Sequence, residues 1–209
     1  MQTGTDLSYV KGLAGQCGYV FYVEPGPAPL TSMAYFGPDI RIPVPQPALN
    51  VNLDAETNVE TLSFSFDGLA KKVDVVTILD PATRKVPIPI PVPPVNPLHP
   101  PLGARPALPA KVRFTQDMSK LPPDEAAKRI FGLMMETPDT ITANGTLNVS
   151  RYGLILRARM LVGVRGAGLA YDGLYYVNSV THNIKRGEYK QSFTLSRDGL
   201  VSQTPVVVP

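Results

Sequence analysis

The feature that most constrains the fold is an alternation of apolar and polar residues near the carboxy terminus, interrupted once by a turn. Residues 174–184 mix β-branched and aromatic side chains, as strands prefer. Residues 185–188 are Lys-Arg-Gly-Glu, in which Gly187 can adopt the positive φ of a tight turn, and residues 189–197 then alternate again. The stretch predicts a long antiparallel hairpin, and the rest of the chain has to supply the sheet and the core that cover it.

A second alternation precedes the hairpin. From Tyr152 to Val164 every even position is apolar, which predicts one long strand, or two strands joined at a bulge. The opposite face carries four arginines, Arg151, Arg157, Arg159 and Arg165. Since an unpaired buried guanidinium is prohibitively costly, we expect these side chains to point outward or into a channel. We also expect some of them to pair with carboxylates of a neighbouring subunit.

Residues 122–136 are predicted to form a helix. Pro122 or Pro123 suits its first turn, acidic residues follow at the positive end of the helix dipole, and Pro138 ends it. Its apolar face consists of Ala126, Ile130, Leu133 and Met134, a pattern typical of core packing. Further along, Asn144-Gly145 is typical of a two-residue hairpin turn.

The amino-terminal 85 residues are predicted to form a smaller domain of one helix and several strands. Thr5 is a suitable cap for a short helix, and residues 19–24 follow it as a buried strand. The apolar stripe of that helix is Leu7, Val10, Leu13 and Ala14, and further strands are expected at 33–36, 48–53, 59–66 and 73–79.

Residues 86–109 are dominated by proline. Such density disfavours helix and interior strand and favours an extended polyproline II conformation without regular hydrogen bonds. One interpretation is a stiff spacer laid along a protein surface. The other is a ligand for a partner domain with an aromatic groove.

Several stretches resemble one protein family. The closing strands of the phage late control protein D family are similar to "RYGLILRARMLVGVRGAG", "YDGLYYVNSVTH" and "RGEYKQSFTLSRDG". These proteins are the central baseplate hubs of contractile tails and injection systems, and the amino-terminal part of VgrG spike proteins is related to them. A helix–strand motif from well inside those hubs is similar to "TDLSYVKGLAGQCGYVFYVEP". The resemblance covers roughly residues 140–200 tightly and 5–66 more loosely.

The resemblance implies a structural hub subunit that joins the tail tube to the central spike, with three copies in a ring and two similar barrels per subunit. The family's first barrel lies upstream of the matched motif, so the chain is expected to be a carboxy-terminal part of a hub or one chain of a split hub. The implied partners are other hub chains, the tube protein, the spike protein and a separate chain that supplies the first barrel. DNA or an effector would pass through the lumen.

The same resemblance implies structural roles for a set of hairpin residues. In the family a similar histidine stands at the position of His182, where it suits a structural hydrogen bond. The full set is Gly173, Tyr175, Tyr176, His182, Gly187, Tyr189 and Phe193. The implied location is the baseplate of a virion or injection particle, with assembly in the bacterial cytoplasm.

Together these observations predict a mainly β (α+β) fold with four consecutive parts. Residues 1–85 form the smaller helix-and-strand domain, and residues 86–110 form the proline-rich linker. Residues 111–200 form a tube-forming antiparallel β-barrel domain with the helix 122–136 packed on it, and residues 201–209 are a tail.

No constellation of residues predicts catalysis. Cys17 is the only cysteine, and His99 has no second ligand at metal-site spacing. The glycine-rich segment 163–168 is followed by a strand rather than by the helix that a phosphate loop needs. We therefore expect no enzymatic activity, no cofactor and no metal site. A cell-wall hydrolase module acting through paired carboxylates stays as an alternative.

The distribution of charge leaves a further alternative. Residues 1–110 carry 7 Lys and Arg against 9 Asp and Glu, whereas residues 111–209 carry 13 against 8. A small β-barrel that binds nucleic acid through the arginine face would explain the asymmetry, and so would contacts between oppositely charged subunits. Against nucleic acid, the face has no interleaved aromatic residues for base stacking. No apolar run approaches the roughly 18 residues of a membrane span, so no membrane anchor is expected.

Overall fold

The computed structural model of the chain describes residues 4–41, 44–79, 87–114, 118 and 121–204. In chain order its elements are α1 (Asp6–Gln16), β1 (Tyr19–Pro25), β2 (Ser32–Pro38), β3 (Pro45–Asn50), a 3-10 turn (Asp54–Glu56), β4 (Val59–Phe66), β5 (Lys72–Leu79), β6 (Pro87–Val92), β7 (Gly103–Pro106), β8 (Lys111–Phe114), α2 (Pro123–Met135), β9 (Ile141–Asn148), α3 (Val149–Tyr152), β10 (Leu161–Arg165), β11 (Gly173–Lys185), β12 (Glu188–Arg197) and β13 (Gly199–Ser202). The predicted mainly β (α+β) fold class is confirmed.

The chain divides into two units, each built from separated segments. The first unit comprises Met1–Ile40, Lys72–His99 and Pro109–Thr137, and the second comprises Arg41–Lys71, Pro100–Leu108 and Pro138–Pro209. This grouping differs from the consecutive parts expected from the sequence, because strands distant in the chain complete each sheet. In particular, α2 is grouped with the first unit, whereas β9 to β13 belong to the second.

The core of the first unit lies between a sheet and α2. The sheet has the strand order β6-β5-β8, and its buried residues Val76 and Val92 form a cluster with Met118. Against this cluster pack Ile130, Leu133 and Met134 of α2. The predicted helix and its apolar face are therefore confirmed, with a proline in the first turn followed by Asp124 and Glu125.

The amino-terminal helix is capped as expected, but its apolar stripe is only partly covered. The Oγ1 atom of Thr5 accepts a hydrogen bond of 3.3 Å from the Ser8 amide. Ala14 is buried, whereas Leu7 and Leu13 are exposed. The following strand β1 pairs with β2 and is half-exposed, so the expectation of a buried strand at 19–24 is wrong.

The proline tract forms two strands, which corrects the expectation of an extended linker without regular hydrogen bonds. Within the tract, β6 pairs antiparallel with β5, and β7 pairs with β13. The reason lies in the spacing of Pro87, Pro89 and Pro91. Prolines two residues apart all fall on one side of an edge strand, and that side needs no amide donor.

The second unit is organised around a curled half-barrel sheet of six strands in the order β3-β10-β11-β12-β9-β4. All neighbouring pairs are antiparallel except β3 and β10, which are parallel. The two edge strands approach each other at one end, where Asn58 donates to the Ala48 carbonyl (3.0 Å) and accepts from the Asn50 amide (2.8 Å). The core lies inside the curl and includes Leu49, Val162, Tyr175, Phe193 and Leu195.

Two local predictions in this unit are wrong. The strand expected over 152–164 is short: Tyr152 ends the single-turn helix α3, a loop follows, and β10 begins at Leu161. The predicted turn at Asn144-Gly145 lies in the middle of β9. A Cβ on Gly145 would stand 2.5 Å from the Thr61 carbonyl oxygen and 2.7 Å from the Phe193 ring. The glycine therefore permits close packing in a strand rather than a turn.

Candidate functional site

The long hairpin of β11 and β12 forms as predicted and contributes side chains to both faces of the curled sheet. Its turn lies between Lys185 and Glu188, which pair with each other, and Gly187 has a φ of 79°. Near the turn the side chains are exposed; Ile184, for example, is 72% exposed. His182 Nδ1 lies 2.7 Å from the Tyr189 hydroxyl. The hairpin is thus buried at its base and presents an exposed tip.

The base of the hairpin contributes Tyr175 and Phe193 to the core. Tyr175 is fully buried, and its hydroxyl donates to the Tyr171 carbonyl at 2.7 Å. This burial raises the pKa of Tyr175 above its usual value. Phe193 belongs to the same core, whereas Tyr176 is buried on the other face of the strand, where the Arg41 guanidinium carbon lies 4.4 Å from the centroid of its ring. The inner face of the sheet is therefore a packing surface and offers no accessible site.

One residue of this core was missed in the sequence. Arg197 is completely buried, and its guanidinium carbon lies 4.5 Å from the centroid of the Tyr175 ring. The guanidinium donates to three backbone carbonyls, those of Gly199 (2.8 Å), Asp172 (2.8 Å) and Ala170 (2.7 Å). Burial lowers the pKa of Arg197. The alternation of β12 could have revealed it, because position 197 continues the face of Phe193 and Leu195.

Gly173 provides the space that Arg197 needs. It has a φ of 123°, and a Cβ at this position would stand 2.2 Å from the Ser202 hydroxyl oxygen and 3.1 Å from Arg197 Nη1. A side chain here would collide with β13 and displace the guanidinium.

The opposite face of the sheet carries uncharged polar side chains, which we call the hydroxyl face. It crosses β4, β9, β12 and β11 in two rows of directly paired residues. The first row is Thr61, Thr146, Ser192 and Thr181, and the second is Ser63, Asn144, Thr194 and Ser179. Hydrogen bonds join neighbours across the strands, such as Thr61 to Thr146 (2.8 Å) and Thr194 to Asn144 (2.9 Å). None of these eight residues is charged. The next residue of β12 on this face is Lys190, whose charge is paired with Glu60 and Glu188 (3.0 Å each).

The four arginines expected on one strand face are separated into two pairs. Arg157 and Arg159 lie in the loop between α3 and β10, where the Arg159 amide donates to the Val177 carbonyl at 2.7 Å. Arg151 on α3 and Arg165 on β10 line a common cleft. The shared basic face is therefore absent because the strand it required is not formed. The role of these residues at a subunit interface stays a prediction.

The remaining candidate groups lie apart from one another. His99 contacts Asp39, with Nε2 2.9 Å from the carboxylate oxygen. Cys17 is half-buried at the end of α1. Within the described ranges, no cluster of three or more His, Cys, Asp or Glu side chains could hold a metal ion. After β10 the glycine-rich segment passes through a turn into β11, not into a helix. No helix in the described part of the chain is both long and apolar enough to cross a membrane.

The fold is similar to that of two tail proteins of known structure, one of them from a prophage. The tail protein from Neisseria meningitidis MC58 aligns with a TM-score of 0.60 at 15% identity, covering 96% of this chain and 58% of the other. The 43 kDa tail protein of prophage MuSo2 from Shewanella oneidensis aligns with a TM-score of 0.56 at 12% identity, covering 95% and 54%. No protein-family model matches the sequence, and none of the curated proteins does. The chain spans less than two thirds of these two tail proteins and shares their fold over nearly all of its own length.

Proposed function

We propose that this protein is a structural subunit of a phage-type tail, and more specifically of the baseplate hub in a contractile tail or injection system. The observation that carries the proposal is the alignment of 96% of the chain with the tail protein from Neisseria meningitidis at a TM-score of 0.60. The more specific hub assignment is supported by the similarity of the closing strands to those of the late control protein D family. A rigid sheet with a packed interior suits such a role, because a tail subunit acts through contacts with its neighbours.

In this proposal three copies form a ring between the tail tube and the spike. The partners are the tube protein and the spike protein. The particle's baseplate is then the location of the protein, and we assign it no enzymatic activity. The nucleic-acid alternative gains no support, since the basic strand face on which it relied is not formed. The cell-wall hydrolase alternative gains no support either, since the carboxylate pairs that the described residues bring together, Glu60 with Glu188 and Asp74 with Glu136, are held in salt bridges to a shared Lys190 or Arg113.

We assign the passage of cargo to the hydroxyl face. A hydroxyl-rich surface neither traps nor repels a charged polymer that slides past it. An added lysine without a carboxylate partner would attract polyanions, unlike Lys190, which is paired with Glu60 and Glu188. Replacing Thr146 by Lys should then leave particles assembled but slow DNA delivery. Thr146→Val, which also removes the hydroxyl but adds no charge, is the matched control.

The experiment that tests the function is deletion of the gene in its host, followed by electron microscopy and mass spectrometry of purified particles. We expect the wild-type chain in the baseplate fraction at three copies per particle, and no complete tails from the deletion strain. Complementation with the wild-type gene should restore them. Intact particles from the deletion strain, or purified particles that lack the chain, would show that the proposal is wrong.

A further inference from the structure

A polar cleft opens where the two edges of the curled sheet meet. It lies among the end of β3, the 3-10 turn, the start of β4, α3 and β10, and it has a volume of about 460 Å³. Its lining consists of Asn50, Ala55, Glu56, Thr57, Asn58, Arg151 and Arg165. We call it the edge cleft. All of its residues belong to the second unit, so its geometry depends on that unit alone.

Two buried polar atoms of the edge cleft have no partner among the residues that the structure describes. They are Oδ1 of Asn50, a residue only 8% exposed, and Nη1 of Arg165. Their neighbours are satisfied: Asn58 bonds to both Ala48 and Asn50, and Thr57 Oγ1 accepts from the Leu53 amide at 3.0 Å. A buried acceptor and a buried charged donor without partners are costly to keep. The pair therefore points to a ligand that offers the complementary groups.

The charge of the edge cleft defines one of those groups. Arg151 and Arg165 bring two guanidinium groups to the lining, and neither forms an ion pair with a described residue. Glu56 also lines the cleft but makes no salt bridge to either arginine. A single negative charge matches this balance best, because a multiply charged anion would also face Glu56. Planar guanidinium groups favour a carboxylate, which can accept two parallel N–H bonds.

The unpartnered acceptor defines the second group. Asn50 Oδ1 needs an N–H or O–H donor within a few ångströms of the carboxylate. An acidic residue of a polypeptide supplies both, since its own backbone amide lies beside its side chain. We propose that the edge cleft receives an Asp or Glu side chain from another protein subunit, with the carboxylate bound by Arg151 and Arg165 and a peptide N–H bound by Asn50. This inference rests on the proposed assembly function and names the chemistry of one partner contact.

The test uses the full chain and a defined probe, the capped dipeptide acetyl-Asp-Gly-amide, in a titration followed by amide chemical shifts. We expect saturable shifts at residues 55–58, 151 and 165, and none with acetyl-Asn-Gly-amide at the same concentrations. Arg151→Gln should weaken the affinity about tenfold, as loss of one charge-assisted hydrogen bond would. Arg186→Gln, at the exposed hairpin turn, should leave it unchanged and serves as the matched control.

Three results would overturn the inference: equal shifts with the Asn dipeptide, equal weakening by Arg186→Gln, or binding of inorganic phosphate as tight as that of the Asp dipeptide. The last would identify a simple anion site. The amide spectrum of each variant also reports whether it folds, and Arg151→Gln changes an exposed side chain. If wild-type particles contain the chain but the titration fails, the cleft inference falls while the tail function stands. If the chain is absent from particles but binds the peptide, the tail function falls.

Discussion

Replacing the buried Arg197 by Met tests whether this guanidinium holds the second unit together. The Gly199 and Asp172 carbonyls would lose the guanidinium donor, and a buried group left unsatisfied costs about 1–3 kcal/mol. The Ala170 carbonyl keeps the Val201 amide as a donor (3.1 Å), so losing its bond to Arg197 costs only about 1 kcal/mol, and the sum is about 3–7 kcal/mol. Removing a desolvated charge returns part of this loss, several kcal/mol in comparable cases. We therefore expect Arg197→Met to lower the free energy of unfolding by about 2–5 kcal/mol.

The assay is urea unfolding followed by circular dichroism, with thermal melts in parallel. For a chain of 209 residues each kcal/mol corresponds to roughly 2–4 °C, so the expected loss in Tm is about 4–20 °C. Arg197→Lys keeps the charge, but one ammonium cannot direct donors to three separated carbonyls, so it should fall between wild type and Arg197→Met. Arg186→Met, at the exposed turn, is the control and should change stability by less than about 0.5 kcal/mol. If Arg197→Met is as stable as that control, the buried guanidinium contributes no net stability and the reasoning is refuted.

Further predictions address ionisation, packing and the proline strand. Burial raises the pKa of Tyr152 to about 12, above the unfolded value near 10. The folded state therefore keeps a proton that the unfolded chain loses, and stability should be full below pH 10 and decline as the pH rises toward 12. Tyr152→Phe should flatten that decline in denaturation midpoints, and an unchanged slope would contradict it. Gly145→Ala should cost about 1–3 kcal/mol because its Cβ would meet backbone at 2.5 Å. By contrast, Gly12→Ala, with open space around it, should be neutral or stabilising by about 0.5–1 kcal/mol; equal effects in urea melts would count against the packing argument. Ile90→Pro should destabilise the first unit, since it removes an amide that faces β5, while Pro89→Ala should change little; slow amide exchange of Ile90 in wild type is the direct check.

The sequence alone determined the elements whose cause is local. The hairpin of β11 and β12 follows from alternation on both sides of a turn that contains Gly187, and α2 follows from its first-turn proline, acidic start and four-residue apolar face. Strands β4 and β5 were predicted within one residue of their ends. In each case propensity, periodicity and turn chemistry agree, so the neighbours that complete the fold did not need to be known.

The tertiary structure decided the features that depend on a distant partner. From the sequence alone, the prolines of β6 predict a linker. In the structure β6 pairs with β5, which needs amide donors only from the residues between the prolines. From the sequence alone, Gly145 predicts a turn. In the structure Thr61 and Phe193 of the neighbouring strands lie so close to it that no side chain would fit. The apolar residues at even positions from 152 to 164 fit the pattern of a single strand. In the structure Tyr152 reaches the core from a helical turn, whereas Val162 reaches it from β10.

The candidate sites divide in the same way. The hairpin residues could be located from the sequence, because alternation fixes which side chains share a face. The edge cleft could not, since it joins Asn50, Arg151 and Arg165 from three separate segments, and only the curling of the sheet brings its two edges together. Periodicity describes the face of one element, whereas a site formed by several elements exists only after the chain has folded.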